Sequence, residues 1–272
     1  MIEYKDIIKT PPLPFLGNKR SALKHLYNEF KNIELDEDVI IVDAFGGSGL
    51  LSNFFKQLFP KNRVIYNDYD GYTERLKKHE ATENFYYNLV EKLNEIKKLE
   101  VINGYRPKLT KEQAKILVEE IEEADEEKID KETIISKFMM MGQVTKKNLK
   151  VNNSFYYKTK KFTPYKKDYL KGVEVVKKDG IDLINEYKNK KALFLLDPPY
   201  THTTTVTYKD ELSLYDFILL YEDLLKNNSK FILFYAKNSS MYDIVKYFNK
   251  SKKSEVREGQ LKGKKEIIDY YL

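Results

Sequence analysis

Residues 195–200 read Leu-Leu-Asp-Pro-Pro-Tyr and close an apolar run that begins at Leu193. Prolines end strands because they lack the N–H that a ladder needs, and that alone would explain a stop. The order of the groups offers more. The Asp197 carboxylate and the Pro198 carbonyl can together accept both N–H bonds of one amine, Pro199 stiffens the corner, and Tyr200 offers a ring face for stacking a planar base. His202 follows beside a run of threonines, and nothing around it assigns it a role.

A second constellation lies upstream. Asp43-Ala-Phe-Gly-Gly-Ser-Gly49 follows the apolar run Val39 to Val42, and Asp68 stands 22 residues after Gly46. Glycines between a buried strand and a helix let a ligand approach the backbone and the N–H groups at the helix start. A carboxylate at the tip of the next strand can accept hydrogen bonds from both hydroxyls of a ribose. Together these point to an adenosine-containing cofactor, with NAD and S-adenosylmethionine as the natural candidates. The dinucleotide pattern G-x-G-x-x-G would need glycine where this chain has Ser52. Asp43, beside the turn, would repel a pyrophosphate but suits a sulfonium and an ammonium, which tips the balance away from NAD. Asp43 could equally cap the turn without touching a ligand.

The elements that must position these groups follow from periodicity. Residues 39–42 read as a strand covered on both faces, and Leu50, Leu51, Phe54, Phe55 and Leu58 as one face of a helix closed by Pro60. Val64 to Tyr66 forms a second strand, which gives a right-handed βαβ unit. Phe85, Leu89, Leu93 and Ile96 mark a helix over about 82–99, and a longer one is expected over about 111–138. The block 146–167 has no sustained period and reads as irregular, with room for a short hairpin. Strand and helix signals resume at "GVEVVKKD", "GIDLINEYK", residues 192–196, 213–226, "KFILFYA" and "KEIIDYYL". A single α/β domain over 1–80 and 168–272, with an insert at 81–167, accounts for the interruption.

Composition narrows the chemistry. The 272 residues contain no cysteine, which removes disulfides, thiolate metal sites and any thiol nucleophile, including the one that cytosine ring-carbon methylation requires. No metal site is expected. The net charge is +6, unevenly spread. Between Glu119 and Glu132 nine acids meet two lysines, and the acidic stretch reads as a solvated helix face. Between Lys146 and Lys167 eight lysines meet no acid. No signal peptide or membrane span is apparent, so a cytoplasmic protein is expected.

In chain order, "FLGNK" at 15–19, "DAFGGSG" at 43–49, "YNDYD" at 66–70, "KKDG" at 177–180, "LLDPPY" at 195–200 and the terminal "EIIDYYL" resemble the DNA adenine-N6 methyltransferases of the Dam-like class, alpha group. The resemblance covers most of the chain at the level of motif order. It departs at Ala44, where proline is commoner, at Phe15, where the type member of the class carries tryptophan, and in the acidic segment 81–140. It implies a Rossmann-like S-adenosylmethionine-dependent fold with an inserted, mainly helical target-recognition region. It also implies cofactor contacts from Phe15, Lys19, Asp43, Phe45, Gly46, Gly47, Gly49, Asp68, Tyr69, Asp179 and Asp197. Among these Asp68 would hold the ribose and Asp179 the adenine amino group. Asp197, Pro198, Pro199 and Tyr200 would form the catalytic corner, with Asn238 as a further contact to the target base.

The lysine-rich block interleaves amides and aromatics, a mixture suited to phosphates, base edges and stacking. Its candidate DNA contacts are Lys146, Lys147, Lys150, Asn152, Asn153, Lys158, Lys160 and Lys161, and its aromatics Phe155, Tyr156, Tyr157, Phe162 and Tyr165 are candidate wedges. A solvated lysine-rich loop is the plainer alternative. The expected activity is methylation of the exocyclic N6 of a flipped adenine in double-stranded DNA by a monomer or weak dimer, with a cognate restriction endonuclease as a candidate partner. Cytosine-N4, RNA or protein-amide methylation, or an inactive nucleic-acid-binding relative, are the alternatives, and the acid at 197 favours adenine.

Overall fold

The β-branched run at 39–42 becomes β1 (Ile40–Asp43), the Val-Ile-Tyr-Asn segment becomes β2 (Val64–Asn67), and α2 (Leu50–Leu58) crosses between them. The two strands pair in parallel with Val42 opposite Ile65, as a βαβ unit requires. They belong to a computed structural model that describes residues 2–101, 103, 105–139, 149–150, 154–157, 161–165, 168–199, 212–237, 239–251, 257–260 and 266–271. The chain falls into two compact units, residues 1–11, 15–72 and 167–272 in one and residues 12–14 and 73–166 in the other.

The first unit adds α1 (Leu23–Phe30), β3 (Glu174–Val176), α7 (Gly180–Tyr187), β4 (Ala192–Leu196), α8 (Leu214–Lys226), β5 (Lys230–Ala236), α9 (Ser240–Ser251), β6 (Arg257–Gln260) and β7 (Glu266–Tyr271). Its seven strands lie in the order β3-β2-β1-β4-β5-β7-β6. All run parallel except β7, which is antiparallel to both neighbours. Strand alternation sends Leu193 and Leu195 of β4 to the face that α1 and α2 cover with Leu26, Phe30, Phe54 and Phe55. Phe194 and Leu196 go to the other face, under Leu183, Phe217, Leu224 and Val245 of α7, α8 and α9. A sheet buried on both sides explains why the strands read as continuous apolar runs. Neither α9 nor β6 was expected, and Arg-Glu-Gly-Gln has no apolar alternation to announce a strand.

The second unit is helical, with α4 (His79–Ile96), α5 (Lys111–Glu123) and α6 (Lys131–Phe138) packed on one another; α3 (Tyr72–Lys77) precedes them. The single helix expected over 111–138 is therefore two. A capping box at Thr110 and Gln113 starts α5, but its end carries Glu122 and Glu123 with no basic residue in the last turn, so the dipole and like charges oppose continuation. The Asp125 carboxylate then accepts the Glu127 N–H and turns the chain. Phe155, Tyr157 and Phe162 were expected as wedges for DNA; all three are buried, Phe162 and Tyr157 against Tyr86 and Phe138. Lys108 and Tyr156 form an isolated antiparallel bridge. Among the described residues no helix is long and apolar enough to cross a membrane.

Candidate active site

The sheet order reverses between β1 and β4, the place where open α/β sheets bind ligands beyond their carboxyl ends. In register, Asp43 stands opposite Tyr66 on one side and Leu195 on the other. Asp68 and Asp197 each lie two residues further along. Three carboxylates thus end three neighbouring strands, the outer two on strands about 10 Å apart.

The glycine turn lies above the middle strand and is built to keep side chains out. A Cβ at Gly46 would lie 2.3 Å from the Tyr66 ring, and one at Gly47 would lie 2.8 Å from Phe15. Gly47 and Gly49 have φ of +50° and +69°, the left-handed region that favours glycine. Leu170 presses on Gly49, and the Tyr169 hydroxyl donates to the Ser48 carbonyl at 2.7 Å. Nothing in the sequence pointed to Tyr169 or Leu170. Phe45 lies against Gly180 at the start of α7.

Asp43 is wholly buried, and its Oδ2 accepts from the Ser52 hydroxyl at 2.6 Å and the Ser52 N–H at 3.2 Å. The serine that broke the dinucleotide pattern thus holds the acid. Oδ1 of Asp43 has no hydrogen-bond partner. Burial raises the Asp43 pKa to about 7; the Ser52 hydroxyl opposes that rise, and the nearby Asp197 charge adds to it. An orphaned buried carboxylate oxygen beside a glycine-rich turn fits a cationic, adenosine-type cofactor.

Asp197 leaves β4 at the same edge. Its Oδ2 lies 2.6 Å from the Lys19 ammonium, with side-chain exposures of 18% for the acid and 6% for the lysine. Lys19 also donates to the Gly17 carbonyl at 2.9 Å, and the Asn18 amide donates to the Phe15 carbonyl at 2.8 Å, so the 15–19 turn is tied to itself. Pro198 is buried and Pro199 partly so.

Asp68 is buried, and its Oδ1 accepts from the Tyr72 N–H at 2.6 Å and lies 3.0 Å from the Tyr66 hydroxyl. Burial above all pushes the Tyr66 hydroxyl well beyond the usual phenol range, so it stays a donor. Tyr69, next in sequence, is 45% exposed at the edge of the same site. The sequence assigns Asn67 no role, although an amide at the end of an apolar strand is a signal. Its Nδ2 donates to the Ala44 and Lys178 carbonyls and its Oδ1 accepts the Lys178 N–H, which clamps the loops after β1 and β3 to β2. Asp179 has a structural task the sequence did not assign: its Oδ1 accepts the Ile181 and Asp182 N–H groups and caps α7.

The first unit therefore gathers Phe15, Lys19, Asp43, Phe45, Gly46, Gly47, Gly49, Asp68, Tyr69, Asp179, Asp197, Pro198 and Pro199 at the loops and strand ends of one sheet edge. Tyr200, His202 and Asn238 lie outside the described residues. So do Lys146, Lys147, Asn152, Asn153, Lys158 and Lys160 of the basic block; Lys150 and Lys161 are described and exposed.

An open, mostly parallel sheet with a glycine turn at its switch point and acids at the strand ends defines a Rossmann-like fold of the cofactor-binding kind. No protein-family profile matches the chain. Over 258 residues, 91% of this chain and 83% of the other, it is 34% identical to a Haemophilus influenzae protein named "Putative methyltransferase". The chain belongs to that family of methyltransferases.

Proposed function

We propose that the chain is an S-adenosylmethionine-dependent DNA methyltransferase that modifies the exocyclic N6 of adenine. The observation that carries this reading is the corner after β4, where a carboxylate and a proline carbonyl leave the sheet at its switch point beside the glycine turn and the buried Asp43.

The Gly46–Gly49 turn would hold the cofactor's methionine end, with the orphaned Asp43 oxygen toward its positive charge and Asp68 toward the ribose. When bound, S-adenosylmethionine supplies a sulfonium methyl that passes to the amine nitrogen as the carbon–sulfur electrons return to sulfur. The chain's own task is the acceptor. An adenine amine is a weak nucleophile because its lone pair is delocalised into the ring. Asp197 and the Pro198 carbonyl accepting its two N–H bonds would draw the nitrogen toward sp³ and stabilise the charge that develops there. The methylated nitrogen then loses one proton to water, so no dedicated base is needed. The amine is out of reach inside a duplex, so the base must be extruded, with Tyr200 as the stacking face.

In this reading the helical unit is the target-recognition region, and Lys146, Lys147, Lys150, Asn152, Asn153, Lys158, Lys160 and Lys161 contact DNA. Incubation with methyl-labelled S-adenosylmethionine and mixed-sequence duplex DNA, followed by digestion to nucleosides, tests it. Label in N6-methyldeoxyadenosine is the expected result. Label confined to N4-methyldeoxycytidine or to RNA, or cofactor binding without transfer, overturns it.

A further inference from the structure

Two acids, Asp43 and Asp197, end adjacent strands, and the Asp197 charge raises the pKa of Asp43. Carboxylates so placed tend to share a proton unless a cation stands with them. A protonated Asp197 would present a donor where an incoming amine needs an acceptor, and an unpinned carboxylate would rotate away from the Pro198 carbonyl. Lys19 answers both problems. Its ammonium lies 2.6 Å from Asp197 Oδ2 and 2.9 Å from the Gly17 carbonyl, and 5.9 Å from the centre of the Phe234 ring of β5. Among the described residues, Asp43 from β1 and Lys19 from the 15–19 turn are charged groups that act on Asp197.

We infer that Lys19 is a positioning residue: it holds Asp197 ionised and oriented as the acceptor for the target amine, and it is not a ligand of the cofactor. The inference rests on the reading given under Proposed function. It differs from the role that the motif resemblance implies for Lys19, a contact at the cofactor end. The two roles separate experimentally because a positioning residue acts on turnover, whereas a cofactor ligand acts on affinity.

Lys19→Met and Lys19→Arg are compared with the wild type for kcat on duplex DNA and for cofactor Kd by calorimetry. Lys19→Met is expected to lower kcat about 10- to 100-fold, as loss of a supporting partner does. Its Kd should stay within about threefold of wild type. Lys19→Arg, which keeps the charge, should retain more of the rate. A Kd that rises as much as kcat falls makes Lys19 a cofactor ligand and overturns the inference; so does an unchanged kcat. A thermal double-mutant cycle on Lys19→Met and Asp197→Asn needs no substrate. Each single change should lower Tm by about 5 °C or more, and the double change should lower it no further than the worse single one. Additive losses refute the pairing. Absence of transfer by the wild type counts against the DNA reading, while the cycle still decides the pairing.

Discussion

Among the described residues each unit holds a well-buried ion pair, and these two pairs are mirror images. In the helical unit Arg75 meets Asp130 at 2.9 Å, with the acid 6% exposed and the base 18%. In the sheet unit Lys19 meets Asp197 at 2.6 Å, and there the base is 6% exposed and the acid 18%. The Arg75 guanidinium contacts both Asp130 oxygens and donates to the Pro14 carbonyl, while the Asp130 N–H donates to the Thr82 hydroxyl and Thr133 donates to the carboxylate. That pair ties four chain segments of its own unit together. The Lys19 pair instead turns its acid outward, at the edge of the sheet where Asp43 keeps an unpartnered oxygen. An outward base suits a structural clamp, whereas an outward acid suits a site that must accept N–H bonds.

The comparison breaks if substitution at the two pairs affects methyl transfer alike. In the proposed mechanism Asp197→Ala removes a group that stabilises charge formed only during reaction, and it should lower methyl transfer by at least about a thousandfold. Cofactor Kd should move by less than about threefold. Wild-type-like turnover would sink the mechanism. Arg75→Ala should instead cost about 3–5 kcal/mol of stability, since it strands the buried Asp130 charge. Urea denaturation measures that loss, and a change under about 1 kcal/mol would demote the clamp to a surface pair.

The same contrast explains what could be read in the sequence. At the sheet, function and folding use the same local signals: apolar runs end in acids, and glycines follow the first strand. The edge carrying Asp43, Asp68 and Asp197 is therefore legible without coordinates. What escaped notice depends on contacts distant in sequence. Tyr169 reaches Ser48 across 121 residues and Asn67 reaches Lys178 across 111. No spacing rule foretells such meetings. Lys19 and Asp197 are each singled out by motif, but nothing in the sequence pairs them across 178 positions. In the helical unit, amphipathic spacing reveals helices but not their breaks. The aromatics at 155, 157 and 162 sit among lysines and look like a binding surface, yet all three are buried in the core of the helical unit.

A smaller effect tests the cofactor side of the site. Gly47→Ala places a Cβ 2.8 Å from Phe15 at a φ of +50°. The left-handed conformation costs roughly 1–2 kcal/mol for an L-residue. Displacing the Phe15 ring should weaken cofactor binding about tenfold, with a melting loss of about 3–6 °C. Gly71→Ala is the control, because it shares the positive φ of +73° but has no atom within 4 Å of the added carbon. Equal cofactor Kd in the two variants would show that the turn is not a cradle.

The subtlest consequence lies in the acid that the sequence left ambiguous. Asp43 carries a pKa raised from 3.8 to about 7, chiefly by burial, so between those values the folded chain holds a proton that the unfolded chain has released. The stability this contributes is complete below pH 3.8 and is lost as pH rises through 7. Asp43→Asn should remove that part of the pH dependence and leave a flatter melting profile across that pH range, at about 3 °C per kcal/mol. Ser52 already donates to Oδ2, so the proton belongs on the orphaned Oδ1. A cationic ligand at that oxygen favours the ionised acid and should expel the proton. Calorimetric titration with S-adenosylmethionine at about pH 6.5, in two buffers of different ionisation heat, should register up to about one proton released by the wild type and none by Asp43→Asn. Release that persists in the variant, or identical melting profiles, would leave Asp43 as a cap on the turn and no more.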